Sequence, residues 1–368
     1  MFSRSLLVAA ITLTLIAQAH AAGSATSEQI GNDNVTEITQ QTSQNVSATA
    51  LQNGDANEAL VDQKGSELTV LSNQRGAGNT LSIQQNGWDS AAEVNQYGQA
   101  NVATVYQLPF DNAQLTAVIS QYGQGNEASI KQLDANVTYA KTTQDGINNF
   151  IEIEQKGQMS SISVEQYGVS NEVSASQTGS GANILQNGNN NNVELNQYSD
   201  SYTGTNVEQN GSFNDASVSQ SSGGRYPGGT VDLYQQGQGN RAQVSSGGAW
   251  ADVNFNQIGE GNELNISQSG INVSVTGYSN GVNNSVDVTQ DGDDSLVDIA
   301  QNGSDNVIES SQSGGVFYNN TTDEGYISQN GISNFASLTQ QSPAGDLSSN
   351  SAIIMQNGMG NSATVSQR

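Results

Sequence analysis

The chain has 368 residues, a net charge of −26, forty glycines, three prolines and no cysteine, with 34% hydrophobic and 12% charged residues. That charge disfavours nucleic acid and anionic membrane surfaces as partners, because binding either needs clustered Lys and Arg. The absence of Cys excludes a disulfide framework and thiol chemistry. The only histidine is His20, so nothing beyond it can form a Ser-His-Asp triad or an imidazole or thiolate zinc site.

Residues 1–21 read as a secretory signal peptide. Arg4 is the charged start, Leu6 to Ala17 the apolar stretch, and Ala19-His20-Ala21 an A-x-A site that places cleavage between Ala21 and Ala22. The apolar run is too short to span a bilayer, and no later segment approaches the roughly 20 apolar residues a spanning helix needs. An exported, soluble precursor without membrane insertion is expected. Residues 22–28 form a short N-terminal segment, and repeats fill 29–367.

Glutamine recurs every eleventh residue, from Gln52 through Gln63, Gln74, Gln85, Gln96 and Gln107, often with glycine two residues later, as at Gly54 and Gly76. In every second unit an asparagine follows the glutamine by five residues, so the true period is about 22 residues. The candidate ladder of the strict units is Gln29 and Asn34, Gln52 and Asn57, Gln74 and Asn79, Gln96 and Asn101, then Gln121 and Asn126, Gln144 and Asn149, Gln166 and Asn171. It continues with Gln186 and Asn191, Gln209 and Asn214, Gln235 and Asn240, Gln257 and Asn262, Asn284, Gln301 and Asn306, Gln329 and Asn334, Gln356 and Asn361. Intervening units carry Ser or an apolar residue instead, as at Ser90, Ser160 and Ser295, and the length changes fall in them. One side of each repeat is therefore strict and the other admits loops.

Between Asn and Gln the residues alternate, as in Asn57-Glu58-Ala59-Leu60-Val61-Asp62-Gln63. Period-2 alternation with β-branched residues is the strand signature, and the glycines mark turns. The fold expected is all-β: a β-solenoid of about 15 strand-turn-strand coils, one per 22-residue repeat, amyloid-competent. Coils about 4.8 Å apart place Gln over Gln and Asn over Asn. A side-chain amide donates and accepts, so a ladder of amides satisfies itself in the interior.

These residues resemble the curlin repeat, S-x5-Q-x4-N-x5-Q. Ser90, Gln96, Asn101 and Gln107 match all four positions. So do Ser160, Gln166, Asn171 and Gln177, and Ser295, Gln301, Asn306 and Gln312. The resemblance implies a secreted structural subunit of curli-like functional amyloid fibres, serving cell adhesion and the biofilm matrix outside a Gram-negative cell. It implies self-association into a homopolymeric fibre, other curli subunits and an outer-membrane secretion channel as partners, and no cofactor. The second reading is a monomeric extracellular β-solenoid that binds polysaccharide or acts as a surface adhesin. An enzyme ranks third.

Other patterns have plainer explanations. The Gln-Tyr-Gly triplets at Gln96, Gln121 and Gln166 suggest a carbohydrate platform, but a stacked corner tyrosine explains them. Asp291-Gly292-Asp293-Asp294 resembles a calcium loop without EF-hand spacing, and reads as a solvated acidic turn. Glu152 and Glu154 invite a glycosidase reading, yet adjacent outward strand positions account for them. No capping segment is read before Gln29 or after Gln367, so unpaired strand edges are expected to template another chain. Carboxylates stacked at equal heights are expected to oppose that association.

Overall fold

Each alternating segment forms a strand, and successive repeats pair in parallel with conserved register. The structure, a computed structural model, describes residues 11–16, 22–41, 44–109, 113–199, 203–222, 227–314, 322–342 and 349–368. They contain twenty-nine strands and no helix. The architecture is a β-solenoid of parallel stacked coils. The expected cleavage residue Ala21, with 1–10 and 17–20, lies outside the described residues.

A coil has two walls. One ends in Gln-x-Gly and is here called the glycine wall; the other starts after the conserved Asn and is called the asparagine wall. Two 20-residue strands, Glu58–Ala77 and Thr80–Gln99, each cover one of both. Their pairing shows the rule: Gln63 lies over Gln85, Gly65 over Gly87, Gln74 over Gln96 and Gly76 over Gly98. A parallel ladder repeats each residue at one height, so a 22-residue period in sequence becomes a column in space.

The chain divides into two units, Met1–Ser176 and Gln177–Arg368. In the first, the glycine wall starts with Ala22–Ile30 on Gln44–Asp55, so residues 22–28 belong to a strand. Its asparagine wall starts with Val35–Gln41, which pairs with the first half of Glu58–Ala77. Ile11–Ile16, inside the expected leader, is a strand paired in parallel with Val35–Gln41 on its other side. In the second unit the glycine wall runs from Gly181–Asn189 to Ser351–Met359. Its asparagine wall ends with Ser362–Gln367 on Phe335–Gln341.

The core is a thin double layer. Inward positions such as Ile83, Val94, Ile119, Ile130, Ile151 and Ile153 are 0–1% exposed. Burying such a side chain contributes about 1.5–3 kcal/mol. Outward neighbours are mostly Ser, Thr, Asn, Asp and Glu, with scattered apolar residues.

The two corners differ. After each glycine wall the chain turns through two left-handed residues. At Gly54 φ is 134° and at Ala56 it is 55°. The first position admits only glycine, because a Cβ on Gly54 would lie 1.8 Å from the carbonyl oxygen of Gly76 in the next coil. The second has open space at Gly78, Gly239 and Gly360, and at Gly125 and Gly261 a Cβ would meet only the side-chain amide of Asn148 or Asn283. It therefore accepts Ala100, Asn148, Ser170 or Phe213, at the modest cost of a left-handed non-glycine residue. The opposite corner carries the length changes: 42–43, 110–112, 200–202, 223–226, 315–321 and 343–348 all fall between an asparagine wall and the next glycine wall, and lie outside the described residues.

Candidate functional site

The side chains that repeat most strictly are also buried. Gln74, Asn79, Gln96, Asn101, Gln121 and Asn126 are all 0% exposed. They sit at strand ends, where the wall gives way to the corner, and there they form columns.

The glycine-wall glutamines form the first column. In the first unit Gln29 Nε2 donates to Gln52 Oε1 at 2.7 Å, and the same bond continues through Gln74, Gln96, Gln121, Gln144 and Gln166 at 2.8–3.0 Å. Each also ties the walls together: Gln74 Nε2 donates to the carbonyls of Glu58 and Asn79, at 2.8 and 3.1 Å. These backbone bonds decide which end of the amide is nitrogen.

The asparagine-wall glutamines form a second column of equal quality, running Gln40, Gln63, Gln85, Gln107, Gln132 and Gln155 at 2.8–3.0 Å. The eleven-residue spacing contains this column, although the candidate set above took only the strict units. Both columns are rungs of one design, in which a glutamine closes each side of the coil.

The asparagines form a third column of opposite sense. Asn79 Nδ2 donates backwards to Asn57 Oδ1 at 2.9 Å, and the Asn79 backbone N–H donates to the same oxygen at 3.2 Å. Asn79 Nδ2 also reaches forward to the Gly98 carbonyl at 3.1 Å. Asn101, Asn126, Asn149 and Asn171 repeat the backward bond to Asn34's successors. Each asparagine thus grips both neighbouring coils, and an inserted residue at that corner would break both contacts. At the other corner the serines turn to their own loop: Ser90 Oγ donates to Trp88 O and Ser295 Oγ to Asp293 O. Where the length of that corner varies the serine contact varies too: Ser180 Oγ donates instead to Gln197 Oε1 of the next coil, at 3.2 Å.

The second unit keeps the asparagine column unbroken from Asn191 through Asn214, Asn240, Asn262, Asn284, Asn306 and Asn334 to Asn361, at 2.9–3.1 Å. Its glutamine columns each lose one rung. Gln186, Gln209, Gln235 and Gln257 are linked, and so are Gln301, Gln329 and Gln356. Between them stands Ser279, whose Oγ donates to Gln301 Oε1 at 2.9 Å. On the other wall Ser246 replaces the rung beneath Gln268, and the buried Gln268 Oε1 accepts no hydrogen bond. Nearby, Phe255 lies under Gly277 in register, so a large and a small side chain share that height.

Register corrects the expectation of stacked carboxylates. Among the described strand pairings only Asp287 and Glu309 are superposed acids. Elsewhere an acid lies against an amide, hydroxyl, apolar or basic residue, as with Asn206 and Asp232, Asp232 and Asn254, or Asp215 and Arg241. Many acids accept a hydrogen bond from the preceding coil: Asp55 from Asn32, Glu67 from Asn45, Asp252 from Thr230.

The remaining candidates are also engaged. Asp291, Asp293 and Asp294 accept from Ser269 Oγ, Ile271 N and Asn272 Nδ2 of the coil below. Glu152 pairs with Lys131 and Glu154 with Lys156 on the outer face. Of the Gln-Tyr-Gly tyrosines, Tyr97 and Tyr122 stack with ring centroids 5.3 Å apart and planes 3° from parallel. Tyr167 Oη donates to Glu165 at 3.0 Å; burial and that carboxylate raise its pKa above the ordinary tyrosine value.

The comparison with protein families falls on this geometry. Residues 31–65 match the family model of the curlin associated repeat. The match is consistent with a curlin-family repeat protein, as the motif spacing implied. It spans Asn34, Gln40, Gln52, Asn57 and Gln63, one rung or more of all three columns. No curated protein matches the chain.

Proposed function

We propose that this chain is a secreted structural subunit that polymerises end to end into curli-like amyloid fibres for cell adhesion and biofilm matrix. The observation that carries the reading is that the columns are unfinished at both ends. Gln29 Oε1 and Gln40 Oε1 are buried acceptors with no donor. At the other end Gln356 and Gln367 donate only to the backbone, at Phe335 and Ser351. A further coil would complete every column. In the full chain Ile11–Ile16 occupies the free side of Val35–Gln41, so removal of residues 1–21 as a signal peptide on export would bare that edge. Other curli subunits and an outer-membrane channel are the partners this reading carries, and the cell exterior is its location.

The second reading, a monomeric binding solenoid, is favoured by the stacked, partly exposed Tyr97 and Tyr122. Incubation of purified residues 22–368 separates the two. Fibres that bind thioflavin and diffract at about 4.8 Å along their axis are expected. A protein that remains a soluble folded monomer under those conditions would overturn the fibre reading and promote the second.

A further inference from the structure

The chain has no cysteine, so a covalent link between coils must come from another side chain. Tyr97 and Tyr122 are placed for one. They follow the buried column glutamines Gln96 and Gln121, so they point outward from neighbouring strands, in register with each other. Their ring centroids are 5.3 Å apart and their planes 3° from parallel. Tyr97 is half-buried and Tyr122 is 41% exposed, so a small reagent can reach the pair.

The stack stops at two rings. The same outward column runs Asn53, Arg75, Tyr97, Tyr122, Asp145 and Tyr167. Arg75 and Asp145 flank the pair, and Asp145 separates Tyr122 from Tyr167. Elsewhere in the described pairings a tyrosine faces other residue types. Tyr106 lies between Gln84 and Lys131, Tyr234 between Glu208 and Asn256, and Tyr278 between Asn256 and Ala300. Asn73 Nδ2 donates to Tyr97 Oη at 2.9 Å, which engages the phenol oxygen as an acceptor and not its proton.

We infer that Tyr97 and Tyr122 form an oxidative cross-linking site, joined as dityrosine by hydrogen peroxide acting through a haem peroxidase. Each phenol gives up one electron and its hydroxyl proton, which leaves two tyrosyl radicals. The radicals couple through a new bond between ring carbons ortho to the oxygens. The hydrogen on each of those carbons then moves to its own oxygen and restores both phenols. The pair has lost two electrons and two protons, and the peroxide takes them up as it becomes two waters. Two radicals formed here already lie face to face, and the column sets no third ring beside them.

The link ties the coil of Gln96 to the coil of Gln121 and closes residues 97–122 into a ring. That segment contains the length change at 110–112. A cross-link of this kind stabilises by restricting the unfolded chain, as a disulfide does. The site needs only the folded solenoid, so it holds for a fibre and for a monomer alike.

The test treats the folded full chain with hydrogen peroxide and a haem peroxidase. The expected product is a single chain lighter by two hydrogens, with dityrosine fluorescence and a raised urea midpoint. A protease that cuts after Phe110 separates Tyr97 from Tyr122 in the untreated chain and should leave them joined in the treated one. Tyr122→Phe, with strand content checked by circular dichroism, should abolish this product. Asp145→Tyr continues the column and should yield links at position 145 as well. Coupling that joins mainly other tyrosines or separate chains would overturn the site. So would a Tyr122→Phe chain that gains dityrosine as the wild type does.

Discussion

A buried amide is tolerated here only because its neighbour one coil away has the same side chain. Gln96 donates to Gln121 and accepts from Gln74. Gln96→Ala would orphan one group on each side, each costing about 1–3 kcal/mol. A fall in the denaturation midpoint of the folded chain is the expected result. Gln96→Glu is sharper: the carboxylate would face Gln121 Oε1 without a proton to donate, but the protonated acid restores the bond. That variant should fold and assemble at acidic pH and fail near neutrality, as followed by circular dichroism across a pH series. Glycine obeys the same column logic. Gly98→Ala would put a Cβ 1.9 Å from the Gly123 oxygen and should abolish folding of that region, whereas Ala100→Gly, two residues on, should cost little. The outcome is read by limited proteolysis.

Within a coil the two corners divide the work. The asparagine corner is bonded to the coils before and after it and keeps its length. The serine corner has no such uniform column, since Ser90 and Ser295 bond within their own loop while Ser180, Asp293 and Asp294 bond a neighbouring coil, and it carries the insertions. The missing rungs at Ser246 and Ser279 show that one glutamine can be dispensed with while the asparagine column continues. Ser246→Gln would supply a donor to the orphaned Gln268 Oε1 and is expected to stabilise the second unit by about 1 kcal/mol, visible as a higher urea midpoint. The all-β solenoid and its strand-turn-strand unit were legible from period and alternation. The second glutamine column was legible too, since Gln63, Gln85 and Gln107 keep the eleven-residue spacing, but a search centred on the Asn-bearing units passes over it. The interleaving of acids was not legible, because it depends on which residues face each other across insertions of different length.

At the scale of the whole molecule, the proposed fibre would bring a chain of net charge −26 up to another copy of itself. Because register keeps acids apart within the stack, the repulsion acts mainly on approach, over the roughly 8–10 Å that salt leaves unscreened. Added salt should therefore speed elongation several-fold and change the dissociation of preformed fibres little. Real-time elongation and dilution measurements on seeded surfaces check both arms. Composition and spacing by themselves determined the fold class, the repeat length, the strict and the variable corner, and the absence of imidazole and thiolate chemistry after His20. These are properties of a periodic chain, in which each position predicts its neighbour one coil away. Only the tertiary structure decided the direction of the amide columns, the steric veto at glycines such as Gly54 and Gly98, the superposition of Asp287 on Glu309 and the unfinished rungs at Gln29 and Gln40. Those depend on which atom of each side chain meets which atom of the next coil, and a spacing between residues carries no such orientation.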